Sequence, residues 1–242
     1  MPSPDPRSTS PAHAGEVNAT RDAVVLVHGL WMSGLEFGVL RQRLQHRHGF
    51  DAHVFSYASL HGDAAGIAAE LAEFVERVGR GAGRVHLVGH SFGGVIVYKT
   101  LAEQGGRGRP GSAVLLGSPL NGSKAARGAA RFQVLRPLFG PHVLGELADP
   151  PPRHWNGPNQ MGAIAGTLRM GTGQFFAHFD EDNDGTVGVS ETRIPGLADH
   201  LVLPHSHFGM LAARDVADQI THFLRNGKFS GPAAAPRVSE RG

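Results

Sequence analysis

Short apolar runs alternate along this chain with segments in which apolar residues recur at helical spacing. AVVLVHG (23–29) is a continuous apolar run that ends in glycine, the signature of a strand buried on both faces. Leu35, Leu40 and Leu44 follow near helical spacing, with Gly49 placed as a helix stop. DAHVFSYAS (51–59) predicts a second strand, and Asp63 caps a helix whose apolar face is Ile67, Leu71, Phe74, Val75 and Val78. RVHLVGH (84–90) reads as a third strand that runs straight into a helix, FGGVIVYKTLAEQGG. GSAVLLGSP, GAIAGTLRM and HLVLP (200–204) are the fourth, fifth and sixth strands. AARDVADQITHFLRNGKF closes the pattern as a helix with Val216, Ile220, Phe223 and Leu224 inward and Gly227 at its end. Strands alternating with amphipathic helices predict an α/β fold, a mostly parallel central sheet with helices on both faces. In such sheets the active residues sit in loops beyond the carboxyl ends of the strands.

Composition narrows this picture. The 242 residues, 40% hydrophobic and 18% charged, are those of a globular chain, and no internal linker divides it, so one domain over 21–229 is expected. Residues 1–20 and 230–242 are rich in Pro, Ser and Ala without periodicity and are expected to be disordered tails. A formal net charge of +2 is too weak to imply attraction to nucleic acid or to a membrane surface. With no cysteine, disulfides, thiolate catalysis and Cys-ligated zinc are excluded. The first twenty residues lack the apolar core of a secretory signal, and no later stretch reaches membrane-spanning length, so a cytoplasmic location without stable membrane insertion is the expectation.

The chemistry concentrates at three strand ends. Gly89-His90-Ser91-Phe92-Gly93 fits G-x-S-x-G and lies between an apolar strand and a helix, where a tight turn lifts a serine side chain into the open. Serine needs a histidine base, and that base needs a carboxylate to hold its tautomer. Asp180, Asp182 and Asp184 follow the fifth strand, and His205 and His207 follow the sixth. The same acidic stretch, DEDNDGTVGVSE (180–191), also spells a calcium-binding loop, with Gly185 at its sharp turn and Glu191 as its closing carboxylate. Against that reading, Pro195 interrupts a leaving helix, Gly188 stands where an aliphatic residue belongs, and no second hand exists. His200, His205 and His207 crowd one segment, but their spacing in extended and loop backbone does not set a tetrahedral metal site. No metal and no cofactor is expected.

LVHGLW at the first strand end, HLVGHSFGG at the nucleophile turn, NDGTV and HSHFGML, in that order, resemble the α/β-hydrolase superfamily in its lipase/esterase-like branch over about Ala23 to Phe229. The extra antiparallel hairpin with which related enzymes often begin has no match in residues 1–20. The resemblance implies Ser91 as nucleophile, Asp184 as acid, just before Gly-Thr-Val, and His207 as base, directly before a short turn and helix. It implies an oxyanion hole from the backbone N–H groups of Phe92 and Leu30, with Trp31 the near alternative to Leu30. A serine-dependent carboxylic ester hydrolase acting on a small-molecule or lipid ester is therefore expected, with an acyltransferase using the same triad as the alternative and a non-catalytic binding protein as a third reading. Relatives often carry a cap between the fourth and fifth strands. Residues 120–160, with Phe132, Val134, Leu135, Leu138, Phe139, Val143, Leu144 and Leu147, are expected to form a small cap or lid over an apolar acyl pocket, with Trp31 and Met32 at its mouth.

Overall fold

Along β1 (Ala23–Val27) alternate side chains go to opposite sides: Ala23, Val25 and Val27 join one apolar cluster, Val24 and Leu26 another. That period of two is the geometry of a strand covered on both faces, and it repeats on the strands beside it. Leu87 and Val88 of β3 (Val85–His90), Leu115 and Leu116 of β4 (Pro110–Leu116), and Ala163 and Ile164 of β5 (Met161–Gly166) divide in the same way. With β2 (Asp51–Phe55) and β6 (Asp199–Leu203) they form a sheet of order β2-β1-β3-β4-β5-β6. Every neighbouring pair is parallel. The computed structural model describes residues 20–60, 62–103, 110–131, 141–171 and 179–231.

Helices α2 (Ala64–Gly79) and α3 (Phe92–Glu103) cover one face, contributing Ile67, Leu71 and Val75, and Val95, Ile96 and Val97. On the other face α1 (Gly38–His46) supplies Leu40 and Leu44, and α6 (Arg214–Asn226) supplies Val216, Ile220 and Phe223. Burying each such branched or aromatic side chain is worth about 1.5–3 kcal/mol, so the two clusters hold the layers together. The expected helix ends are present. Asp63 Oδ1 accepts the Gly66 N–H (2.7 Å), and Gly227 takes φ +74 while its N–H bonds Phe223 O (2.7 Å).

Three expectations need correction. Leu35 does not face the core: it opens a single 3-10 turn, Leu35–Phe37, and is 87% exposed, its inward place taken by Phe37. The second strand stops at Phe55, paired with Val27, because the residues after it turn to bond the loop that follows β1. The fifth stops at Gly166, where its partner β6 also ends. Between β4 and β5 lie two short helices, α4 (Lys124–Ala130) and α5 (Pro141–Leu147), packed on each other. Val143 and Leu147 belong to the large cluster over α2 and α3, whereas Ala129 and Leu144 form a small separate one with Leu30. Phe132, Val134, Leu135, Leu138 and Phe139 of the expected cap, and residues 1–19 and 232–242, lie outside the described residues.

Candidate active site

β3 ends at His90 and α3 begins at Phe92, so the whole change of direction falls on Ser91. Its φ is +55, a left-handed conformation that costs a residue with a Cβ roughly 1–2 kcal/mol. The turn is held by Ser91 N–H bonded to Leu116 O (2.9 Å) and by Gly94 N–H bonded to Ser91 O (3.0 Å). Gly93 makes the turn fit, since a Cβ there would overlap the carbonyl oxygens of Val27 and His28. Phe92 opens α3, where first-turn N–H groups have no acceptor within the helix.

The segments after β5 and β6 bring a carboxylate to an imidazole. Asp184 is fully buried, and its Oδ1 accepts the N–H groups of Thr186 (2.9 Å) and Val187 (2.8 Å). Its Oδ2 lies 2.7 Å from His207 Nδ1, and the His207 backbone N–H bonds Asp184 O at 3.0 Å. A carboxylate only accepts, so Nδ1 carries the proton and His207 Nε2 is left with a free lone pair. The pair packs on bare backbone: a Cβ on Gly117 would stand 2.8 Å from Asp184 Oδ2 and 3.0 Å from His207 Nδ1. Ser91 and His207 line one cleft. Beside them His90 is wholly buried, its Nε2–H donating to His207 O (3.0 Å) while Nδ1 has no partner. Burial, and then the neighbouring His207 ring, holds His90 well below the usual imidazole range, against the opposing effect of that backbone bond, so it stays neutral.

The loop after β1 is fixed from behind. Tyr57 stacks on His28 with ring centres 4.3 Å apart, donates its hydroxyl to His28 O (2.7 Å) and its N–H to His28 Nε2 (3.2 Å). Burial, aided by the Glu36 charge, raises the Tyr57 phenol above its ordinary range, so this donor keeps its proton. The neighbouring Trp31 takes φ +58, and its N–H donates to Ser59 Oγ (3.1 Å). Of the two donors weighed on this loop, Trp31 is therefore committed elsewhere, and Leu30, which lines the cleft, is the one retained as a candidate.

The competing sequence readings find different partners. Asp180 and Asp182 are exposed, and Glu191 is buried with Oε1 on the Lys124 N–H (2.5 Å) and Oε2 on the Gly188 N–H (2.8 Å). Burial raises the Glu191 carboxyl above its ordinary range in spite of these bonds. The oxygens that a calcium cage would draw from Asp184 and Glu191 are thus occupied by protein N–H groups and an imidazole. Glu191 itself lies in a single 3-10 turn, Ser190–Thr192, and Arg193 after it is extended rather than the start of a leaving helix, while most of GTGQFFAHF lies outside the described residues. The three crowded histidines also diverge: His200 meets Thr192 Oγ1 (2.7 Å), His205 meets Asp215 (2.8 Å) and only His207 meets Asp184. Among the described residues no group of three or more His, Asp or Glu could hold a metal ion.

The cleft has a volume of about 110 Å³ and is mostly apolar, walled by Leu30, Met32, Ala126, Leu147, Val187 and Phe208. The sequence singles out Ser91, Asp184 and His207 as candidates but does not point to the residues packed around them. His90 was only the variable position of G-x-S-x-G, Gly117 only the end of a strand, and Tyr57 and Ser59 only part of one. Glu191 was weighed only as a metal ligand. A glycine straight after β4 is a signal of close approach that was available in LLGSP.

Residues 24–227 match the family model described as alpha/beta hydrolase family. Among solved structures, the mature lipase BlEst2 of Bacillus licheniformis aligns at 22% identity with a TM-score of 0.66, over 81% of this chain and 88% of that one. Phospholipase PlaB of Legionella pneumophila aligns at 17% identity and TM-score 0.65, over 86% of this chain and 60% of that one. The metagenomic carboxyl esterase MGS0156 aligns at 21% identity and TM-score 0.58, over 78% and 65% of the two chains. At such identities the likeness speaks for the fold. A search of curated proteins finds no match.

Proposed function

Because the chain belongs to the alpha/beta hydrolase family, we propose that it is a serine-dependent hydrolase of carboxylic esters, with Ser91 as nucleophile, His207 as base and Asp184 as the carboxylate that orients it. The observation that carries this reading is the 2.7 Å bond from His207 Nδ1 to buried Asp184, in a cleft that also holds a serine on a left-handed turn. With Nδ1 protonated, Nε2 is free to take the Ser91 hydroxyl proton as Oγ attacks the ester carbonyl. The tetrahedral oxyanion is received by the N–H groups of Leu30 and Phe92. His207 then protonates the leaving alcohol, and water repeats the sequence to release the acid from Ser91. Asp184 stays ionised throughout and steadies the imidazolium. No cofactor enters the cycle.

The test is direct. Ser91→Ala is expected to lower kcat on a p-nitrophenyl ester by at least about 10³-fold, and to abolish labelling by a fluorophosphonate, with the circular dichroism spectrum unchanged. Turnover equal to wild type in Ser91→Ala would remove Ser91 from this role.

A further inference from the structure

We infer that the cleft selects uncharged esters with a short acyl part, from acetyl to about butyryl, and that Ala125, Ala126 and Leu147 set the limit; this rests on Ser91 as the nucleophile. Of the cleft lining, Leu30, Ala126 and Leu147 go with the cluster over α2 and α3, and Met32 with the cluster on the opposite face. The leaving oxygen must take its proton from His207, so the alcohol lies beside His207 and Phe208, and Phe208 is exposed there. The acyl chain is then directed away from His207, to the side where Leu30 packs against the cluster that contains Ala126 and Leu147.

Ala125 and Ala126 of α4 and Leu147 of α5 wall that side. Ala126 and Leu147 are almost wholly buried, and α4 is tied down at both ends. At its start the Glu191 carboxylate takes the Lys124 N–H and Glu181 pairs with Lys124 Nζ (3.1 Å). At its end Arg127 Nη1 donates to Ala148 O (2.9 Å), just past α5. The room is small: an enclosed apolar cavity of about 150 Å³ accepts a benzene ring, whereas this cleft offers about 110 Å³ for both arms of the substrate. By proportion the whole cleft has space for roughly four heavy atoms, which is an upper bound for the acyl arm. No Lys, Arg, Asp or Glu lines the cleft among the described residues, so a charged acyl group entering it would lose its water without gaining a partner.

The experiment compares kcat/KM for p-nitrophenyl acetate, butyrate and octanoate in wild type, Ala125→Leu and Leu147→Ala, with active sites counted by a small ethyl fluorophosphonate. Wild type is expected to use octanoate at least about tenfold less well than butyrate, tenfold being the low end of what one methylene is worth in an apolar pocket. Ala125→Leu narrows the acyl arm and is expected to lower the butyrate-to-acetate ratio about tenfold, while Leu147→Ala reduces the octanoate deficit. Should Leu147→Ala fail to fold, Ala125→Leu still decides the matter. Octanoate equal to or better than butyrate, or an unchanged ratio in Ala125→Leu, overturns the inference. If the fluorophosphonate labels Ser91 in that case, the serine-hydrolase reading survives alone; absence of both label and hydrolysis removes both.

Discussion

The two oxygens of Asp184 have separate partners: Oδ1 takes two backbone N–H groups and Oδ2 faces the imidazole. Asp184→Asn tests that division. The amide oxygen can keep the loop bonds, but its NH2 then faces Nδ1, which must give up its proton, leaving Nε2 protonated and unable to act as a base. We expect kcat to fall by about 10⁴-fold with little change in Tm, measured by ester hydrolysis and thermal unfolding together. Gly117→Ala attacks the same pair sterically. Its φ of +51 already disfavours a side chain, and the new methyl would press on Asp184 Oδ2 and His207 Nδ1. A loss of activity by about tenfold or more is expected, tenfold corresponding to only about 1.4 kcal/mol of misalignment in the transition state; unchanged kcat would show that the pair tolerates displacement.

His200 belongs to the scale of elements, because it lies on β6 and reaches outside the sheet. The Thr192 hydroxyl donates to Val189 O (2.8 Å), so His200 Nε2–H donates to Thr192 Oγ1, and Nδ1 is buried without a partner. Burial, and then the Arg193 charge, lowers its pKa from 6.5 to about 4. The unfolded chain therefore binds a proton near 6.5 that the folded chain refuses until about 4. The stability this gives is complete above that upper value and is lost as pH falls through the lower one. The shift would be worth about 3 kcal/mol for a fully enclosed ring, and about 1–2 kcal/mol once partial exposure is allowed for. In urea titrations at about pH 7 and about pH 4.5, His200→Gln should lose less stability on acidification than wild type. At this scale most of the fold was legible. AVVLV and VHLVGH announce buried strands because β-branched runs have no other economical place, and Asp63 and Gly227 announce helix ends by local geometry. Leu35 misled because helical spacing cannot distinguish a true first turn from a 3-10 turn whose core contact is made by Phe37. His90 on His207 and Glu191 on the α4 backbone are contacts across 117 and 67 residues, set by sheet topology and invisible to any local pattern.

Across the whole molecule, one ionic cluster joins the segment between β4 and β5 to the rest. Arg153 Nη1 donates to Leu120 O (2.8 Å), Nη2 donates to Glu146 Oε2 (2.8 Å), and Lys99 of α3 pairs with the other Glu146 oxygen (2.8 Å). Arg153→Leu removes hydrogen bonds involving charged groups and is expected to cost about 2–3 kcal/mol, read as a fall in Tm of roughly 5–10 °C. No helix among the described residues is long and apolar enough to cross a membrane. Ser91 follows β3, an interior strand, whereas His207 follows β6, an edge strand whose residues are only partly covered. Margins of this kind come loose before centres do. A warmed sample should therefore go silent toward esters while its spectrum still reports a native backbone, the site acting as a fuse that fails ahead of the structure it serves.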